Sequence, residues 1–539
     1  MLEKINHKSA PEEVVNALLT LYHQGKYDDV LSRSSQLIKE YPHTFVLHNI
    51  IGAISFEKGH KEVAIEHFHK VIKLRPHHPH AYNNLGAVLI DVGEYQEAKS
   101  NLKKAIELQP DYAEAYNNLG NVYKEMEEYN EAIQVYEKAI ELNPHYYEAY
   151  NNLGAALGKN EQYDEAIEAY NKTISLKPDF AEAYNNKGIA LKEQGKLEEA
   201  IEIYNKTLSL KPDFADAYYN IGVALQDQGK LEDAIKAYIK AISLKPEDAE
   251  IYNNMGIVLA ELDKLEEAIE VYNKALLLKP DFAEAYNNMG IALKQKGMIE
   301  EATEAFKKSV LIEPDNKSAS HMIASLTGEK TETAPPEYVE NLIDGYAKKF
   351  EASLVDKLEY KIPKLIRDIL IKANDNKTFG SVLDLGCGTG LLGPEIKDHC
   401  SKIEGIDLSN KMLALAMQKN VYDKLNQFDI VEYLSTMPLN FDYYIALDVF
   451  IYVGELTEIF RLIKSRNKKP GHLVFSTEHT EKDGYHLLRT VRYSHSKSYI
   501  ESLCKKFDYN ISHFSTNDLR KHKGEFLTGG IYVLSFKPE

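Results

Sequence analysis

An α-solenoid of helical hairpins followed by an α/β domain is the fold class this sequence predicts, on three observations. Prolines stand at 42, 76, 110, 144, 178, 212, 246, 280 and 314, each 34 residues after the last. Between them apolar residues recur at helical spacing in two blocks, as in Ala113-Glu-Ala-Tyr116-Asn117-Asn118-Leu119-Gly120 and Ala132-Ile-Gln-Val-Tyr136 ahead of Pro144. After Pro314 the clock stops, and Val382-Leu383-Asp384-Leu385-Gly386-Cys387-Gly388-Thr389-Gly390 reads as a strand entering a glycine-rich turn. A unit copied at a fixed period cannot bury its apolar face alone and must stack on its neighbours. Because proline cannot continue the second helix of each unit, nine hairpins are expected over 11–316.

At 539 residues the chain is too long for one core, so two or more domains are expected. Charge is unevenly placed. Residues 337–539 hold 28 basic and 28 acidic residues, so the whole net charge of −18 lies in 1–336, where 36 basic residues face 54 acidic ones. That balance argues against nucleic acid docking along the repeats and is compatible with a basic or neutral peptide, or simply with solubility. Cys387, Cys400 and Cys504 have no metal-ligand spacing, which fits a reducing compartment and no metal. The start of the chain lacks the plan of a signal peptide and no window has the apolar length of a membrane span, so a cytoplasmic protein without a membrane partner is the expectation.

Within the units, glycine recurs at 52, 86, 120, 154, 188, 222, 256 and 290, and alanine at 64, 98, 132, 166, 200, 234, 268 and 302. Small residues at fixed places let helix backbones approach closely. These positions resemble the tetratricopeptide repeat over 11–316, which implies a superhelix whose first helices line a concave face. The first unit departs from the pattern, with Leu18 and Val30 at the glycine and alanine positions, as a terminal capping unit would. The bulky tyrosines at 82, 116, 150, 184, 218, 252 and 286 read as packing residues.

One column is not explained by packing. Asn84, Asn118, Asn152, Asn186, Asn220, Asn254 and Asn288 recur every 34 residues although asparagine is an indifferent helix former. The tract Ala-Tyr-Asn-Asn-Leu-Gly resembles that of the O-linked N-acetylglucosamine transferase superhelix. The resemblance implies an asparagine ladder gripping the backbone of a protein or peptide client in the groove, since a carboxamide matches a peptide group in donors and acceptors. It does not imply sugar transfer. The alternatives are that these amides bond between neighbouring units or simply descend from one duplicated sequence.

Residues 317–335 read as a capping helix and a linker. Ile323 and Leu326 would cover the last exposed face, and Thr331-Glu-Thr-Ala-Pro335-Pro336 is short and stiff. From Tyr338 to Ile371 the spacing is helical, and the stretch Tyr346 to Pro363 is either a lid over a pocket or an ordinary packing segment.

The glycine turn has two readings. A dinucleotide fingerprint wants G-x-G-x-x-G, and Leu391 stands where its last glycine belongs, which disfavours a pyrophosphate. With Asp384 ahead of it, the turn Gly386, Gly388, Gly390 instead resembles motif I of the class I S-adenosylmethionine-dependent methyltransferases, a Rossmann-like fold. That resemblance covers 336–539 and extends to the later strands. Lys402-Ile-Glu-Gly-Ile406-Asp407 is a second strand ending in the acid implied to hold the ribose hydroxyls. Phe428-Asp429 resembles the third-strand acid that reads adenine. Phe441 to Asp448 is the fourth strand, His472 to Glu478 the fifth, and Gly530 to Phe536 a last one.

Methyl transfer is an in-line displacement that asks mainly for alignment and exclusion of water, with a base when the acceptor needs one. His495 is the candidate base, and Asp448 and Tyr452 are candidate pocket residues. Asp448 is followed by Val449-Phe450-Ile451 and not by the Pro-Pro-Tyr run of many amino- and amide-methylating enzymes. The expected function is a methyltransferase using S-adenosylmethionine whose superhelix recruits a protein or peptide client. Two alternatives stay open: a small-molecule methyltransferase anchored in a complex by its repeats, and a scaffold whose methyltransferase fold has lost turnover.

Overall fold

The computed structural model describes residues 9–346, 360–373, 378–522 and 525–538. The chain divides into two compact units, 1–262 and 263–539. No described helix is long and apolar enough to cross a membrane.

The first unit is helical throughout, from Glu12–His23 to Ala249–Glu261, in stacked antiparallel pairs such as Ala113–Glu125 with Tyr129–Leu142. Second helices end two residues before the repeating proline, as at Leu108 before Pro110. The recurrent alanines from Ala64 to Ala234 are fully buried. The glycines have a steric cause. A Cβ on Gly120 would lie 2.4 Å from Cε1 of Tyr136, and one on Gly188 the same distance from Cε1 of Tyr204, with like encounters at Gly154 and Gly222. Each glycine is thus the socket for the ring 16 residues later in its own hairpin. These rings form the core, whereas Tyr82, Tyr116, Tyr150, Tyr184 and Tyr218 stay half-buried.

The second unit starts inside the repeat region. It holds the helices Leu265–Leu278, Ala283–Lys296 and Ile299–Ile312, the capping helix Lys317–Thr327, and Pro336–Tyr346 and Ile362–Ala373. The capping helix is opened by Asn316, whose side chain accepts from the Ala319 N–H at 2.9 Å, and closed by left-handed Gly328. Leu326 is buried, and Ile323 packs on the same cluster, which includes Leu293, Ala302 and Phe306 of the final repeat. The lid expected over Tyr346 to Pro363 falls mostly on 347–359, outside the described residues.

A sheet comes next in the chain, with strands β1 (Gly380–Leu385), β2 (Cys400–Asp407), β3 (Lys424–Gln427), β4 (Tyr443–Ala446), β5 (Gly471–His479), β6 (Tyr485–Leu487), β7 (Tyr493–His495), β8 (Asn510–His522) and β9 (Glu525–Phe536). The order β3-β2-β1-β4-β5 is parallel. β9 runs antiparallel to β5 and pairs with β8, while β7 pairs with the end of β5 and β6 with β7. Apolar clusters cover both faces of this sheet, one built on Leu383, Leu385 and Phe475, the other on Val382, Ile403 and Val474. Alternate residues of β1 therefore feed opposite cores. The strand order reverses between β1 and β4, the point where open α/β sheets hold ligands beyond their carboxyl ends.

The segment joining the repeats to the sheet is bonded along its length. Thr333 bridges Val453, the Ala334 N–H donates to the Tyr452 carbonyl at 2.9 Å, and the N–H groups of Gly454 and Glu455 both donate to the Glu332 carbonyl at 2.8 Å. Thr331 Oγ1 meets the Tyr493 hydroxyl at 2.5 Å.

Candidate active site

The site grows from the turn after β1. Gly386, Gly388 and Gly390 all have left-handed backbone, with φ of +70°, +54° and +78°, a conformation L side chains rarely adopt. Their surroundings differ. A Cβ on Gly386 would meet Val449 and one on Gly390 would meet Tyr422, but a Cβ on Gly388 would have nothing within 4 Å. Gly388 thus offers bare backbone to open space, and Thr389 beside it buries a hydroxyl that has no hydrogen-bond partner among the described residues.

Asp407, at the end of β2, closes the other side of the turn. It is 6% exposed, and its Oδ2 accepts from the Gly388 N–H at 2.8 Å and its Oδ1 from the Ser409 N–H at 2.9 Å. Burial raises its pKa, and these amide bonds oppose the rise. Each carboxylate oxygen keeps a second lone pair for another donor. Asp384, on β1, is 3% exposed and accepts from the Tyr422 hydroxyl at 2.7 Å. Burial pushes its pKa up to about 7, with the Tyr422 bond opposing and the Asp407 charge adding.

Asp384, Gly386, Gly388, Thr389 and Asp407 line a cavity of about 1190 Å³, whereas Gly390 lies off its wall, against Tyr422 and Ala416. Asp429, Asp448 and Tyr452 line it too. Asp429 lies past the end of β3 and caps the helix Ile430–Thr436, its Oδ1 accepting from the N–H groups of Val431 at 2.8 Å and Glu432 at 3.1 Å. It is therefore a cap in the loop, two residues beyond the strand at whose end the sequence pattern puts it. Oδ2 takes no part in these two bonds.

Asp448 has φ of +59° and its N–H donates to Ser476 Oγ at 2.8 Å. Its carboxylate is paired with Arg520, which also holds Glu478 Oε1 at 2.7 Å. Arg520 is 1% exposed; burial works against its charge, and the two acids outweigh burial and raise its pKa. Removing one partner of such a buried set would strand a charge. Asp448 is thus a cavity-wall residue fixed by its pairing with Arg520. The Tyr452 phenol has a raised pKa, by burial first, while Arg492 lowers it through its charge and a hydrogen bond.

His495 belongs to a different place. It is fully buried in β7, absent from the cavity wall, stacked on Tyr499 at 5.9 Å, with Nε2 donating to the Gly454 carbonyl at 3.0 Å. Burial lowers its pKa to about 4, so the ring stays neutral. The expected base is in fact a packing histidine, because β7 pairs with β5 and turns the side chain into the β6–β7 core.

In the first unit the asparagine column is paired. Asn118 Nδ2 donates to Asn83 Oδ1 at 3.0 Å, Asn152 to Asn117 at 3.0 Å, Asn186 to Asn151 at 3.3 Å and Asn220 to Asn185 at 3.0 Å. Asn84 reaches Asn49 at 3.5 Å, and Asn254 donates to the Tyr219 hydroxyl at 2.8 Å. Asn288, in the second unit, is half-buried. The preceding asparagines at 83, 117, 151 and 185 thereby have a use, as acceptors for the next unit.

Residues 356–518 match the family described as a methyltransferase domain. The second unit carries a methyltransferase domain. Tetratricopeptide repeats match at 78–145 and 111–179, at 169–202, at 188–229, 224–263 and 258–297, and at 283–316. Among curated proteins, a ubiquinone biosynthesis O-methyltransferase of Ralstonia nicotianae is 27% identical over 19% of this chain and 45% of its own length. An uncharacterized methyltransferase of Schizosaccharomyces pombe is 29% identical over 16% of this chain and 34% of its own length. The chain thus spans less than half the length of these relatives. Among solved structures, YrrB, a TPR protein with an unusual peptide-binding site, is 32% identical over 34% of this chain and 94% of its own, with a TM-score of 0.29. MamA is 35% identical over 32% of this chain and 94% of its own, with a TM-score of 0.28.

Several residues of the methyltransferase domain's cavity are not signalled by the sequence pattern. Arg520 sits in an unremarked strand, and only β8 pairing with β9 brings it to Asp448. Tyr422, off the cavity wall itself, holds Asp384 from 38 residues away, and no spacing links the two. Thr389 stands in plain view inside the glycine turn.

Proposed function

We propose that this chain is an S-adenosylmethionine-dependent methyltransferase and that its repeats present a protein or peptide client to the domain. The observation that carries the first part is the turn 386–390: bare backbone at Gly388, an unpartnered Thr389 hydroxyl, and Asp407 locked beside them on one cavity wall. Asp407 would accept the sugar hydroxyls on its remaining lone pairs, Asp429 Oδ2 would take the adenine amino group, and the Asp384 side with Gly386 would shape the end nearest the amino acid portion, Gly390 serving the turn from behind. When bound, S-adenosylmethionine supplies a methyl group on a sulfonium, a carbon already activated for displacement. Asp448, fixed by Arg520, and Tyr452 then orient the acceptor, and enclosure excludes water.

The client reading rests on the tetratricopeptide repeats, which as a class mediate protein–protein contact, and on the half-buried amides of Asn118, Asn152, Asn186 and Asn220, each retaining an oxygen and a second N–H beyond the bond to its neighbour. A second reading, a small-molecule acceptor, draws on the apolar wall that Ile291, Met322, Leu342 and Ile343 give the cavity.

Calorimetry with S-adenosylhomocysteine tests the first part: binding weakened about 100-fold in Asp407→Ala is expected, and no binding to the intact chain would remove the enzymatic account. Labelled cofactor with the full chain and a lysate then divides the readings. Label in precipitable protein that falls in Asn152→Ala/Asn186→Ala supports the client. Label confined to small molecules and indifferent to that pair supports the second reading.

A further inference from the structure

The cavity is not made by the methyltransferase domain alone. Ile291, Lys294, Gln295 and Ile299 of the last repeat, with Met322 and Leu326 of the capping helix, form part of its wall. Besides the bonds of residues 331–334, the turn between β6 and β7 takes part in the join. Val491 there has φ of +64°, a strained conformation for a β-branched residue, yet is 2% exposed, packed in one cluster with Leu293, Phe306, Met322 and Leu326. Val491 shares this buried cluster with Leu293, the residue before Lys294, and Lys294, Arg489 and Arg492 all line the cavity.

The charges of this wall are incompletely matched. Arg520 is committed to Asp448 and Glu478, and Arg492 lies 3.8 Å from Glu478. Glu458 is held by Arg461, and Glu455 by the hydroxyls of Thr457 and Tyr499. Glu332 lies exposed on the wall. Lys294 has no carboxylate partner among the described residues: its Nζ stands 4.0 Å from the Met322 sulfur, and burial alone lowers its pKa, to about 8. Arg489 is exposed at the mouth, also without an ion pair among the described residues. A lysine set in an apolar wall without a counter-charge loses solvation that an anion would restore.

From this we infer that Lys294 of the last repeat, with Arg489 and Arg492, is a binding subsite for an oxyanion of the methyl acceptor, a carboxylate or a phosphate, with an apolar body resting on Ile291, Ile299, Met322 and Leu326. The repeat array then contributes to acceptor choice from inside the cavity. The inference rests on the cavity being the acceptor site of the proposed methyltransferase, but the subsite can be probed without turnover.

The full chain, with and without S-adenosylhomocysteine, is titrated with 4-hydroxybenzoate, phenyl phosphate and the neutral 4-hydroxybenzamide. At least one anion is expected to bind about tenfold more tightly than the amide, and which one does so distinguishes carboxylate from phosphate. That preference should vanish in Lys294→Met, return in Lys294→Arg, and shrink in Arg489→Met, with S-adenosylhomocysteine affinity unchanged in all three. Equal binding of the three probes, or a preference that survives Lys294→Met, overturns the subsite. Absence of S-adenosylhomocysteine binding with the anion preference intact would instead sink the methyltransferase reading and leave the subsite standing.

Discussion

The asparagines of the repeats and the acids of the methyltransferase domain are both polar groups placed in register by the fold, and they are used in opposite ways. In the first unit Asn118, Asn152, Asn186 and Asn220 each bond an asparagine of the preceding hairpin, so the polar column helps hold the stack together. In the domain, Asp384 and Asp407 are buried with one phenol and two backbone amides for partners, and burial raises both pKa values. The glycines divide the same way: Gly188 is filled by a ring, whereas Gly388 faces empty space. Polar and small residues that meet each other serve the fold. Those held unfilled lower stability and leave capacity for a ligand.

Substitutions sharpen this contrast because the repeats should lose stability, whereas the domain should lose ligand binding or, at Asp384, gain stability at high pH. The largest effect is expected at Asp384. Its folded pKa of about 7 exceeds the ordinary value of 3.8, so the folded domain binds the extra proton and its stability falls as pH rises from about 4 to about 7. Asp384→Asn keeps an acceptor for Tyr422 and removes that fall, stabilising the chain at pH 8 by on the order of 4 kcal/mol relative to its effect at pH 4. Denaturant melts at the two pH values check it, and a parallel offset at both would place the acid in solvent.

Gly188→Ala forces a Cβ against Tyr204 and should destabilise the first unit by about 2 kcal/mol, read as a drop in its melting temperature. Gly388→Ala has room for its Cβ and costs only the left-handed backbone, about 1 kcal/mol. It should nevertheless abolish S-adenosylhomocysteine binding while the fold persists by circular dichroism. Retained binding would mean that no ligand approaches the turn there. The smallest change is Asn118→Ala, about 0.5 kcal/mol of stability for one half-buried hydrogen bond to Asn83. A larger loss of peptide affinity than of stability would show that the column also faces a client.

Much of the fold was legible in one dimension. The proline clock located each hairpin, and the paired spacing of Gly386 to Gly390 with Asp407 located the cavity, because a short local pattern determines a turn or a strand end. Asp429 lines the cavity from a helix cap two residues past β3, and nothing local distinguishes the end of a short strand from the cap after it. His495 was misjudged because proximity to a fifth strand says nothing about which way a later strand turns its side chains.

By itself the sequence determined the units whose physics is local: helices ended by proline, sockets left by glycine, a turn that only glycine can make. The tertiary structure alone decided which distant groups meet. Arg520 reaches Asp448 across 72 residues of chain through strand pairing, and Lys294 lines the methyltransferase cavity where Val491 shares a buried cluster with Leu293. Such meetings arise from burial of apolar surface shared between elements far apart in the chain, a quantity that exists only once the chain is folded.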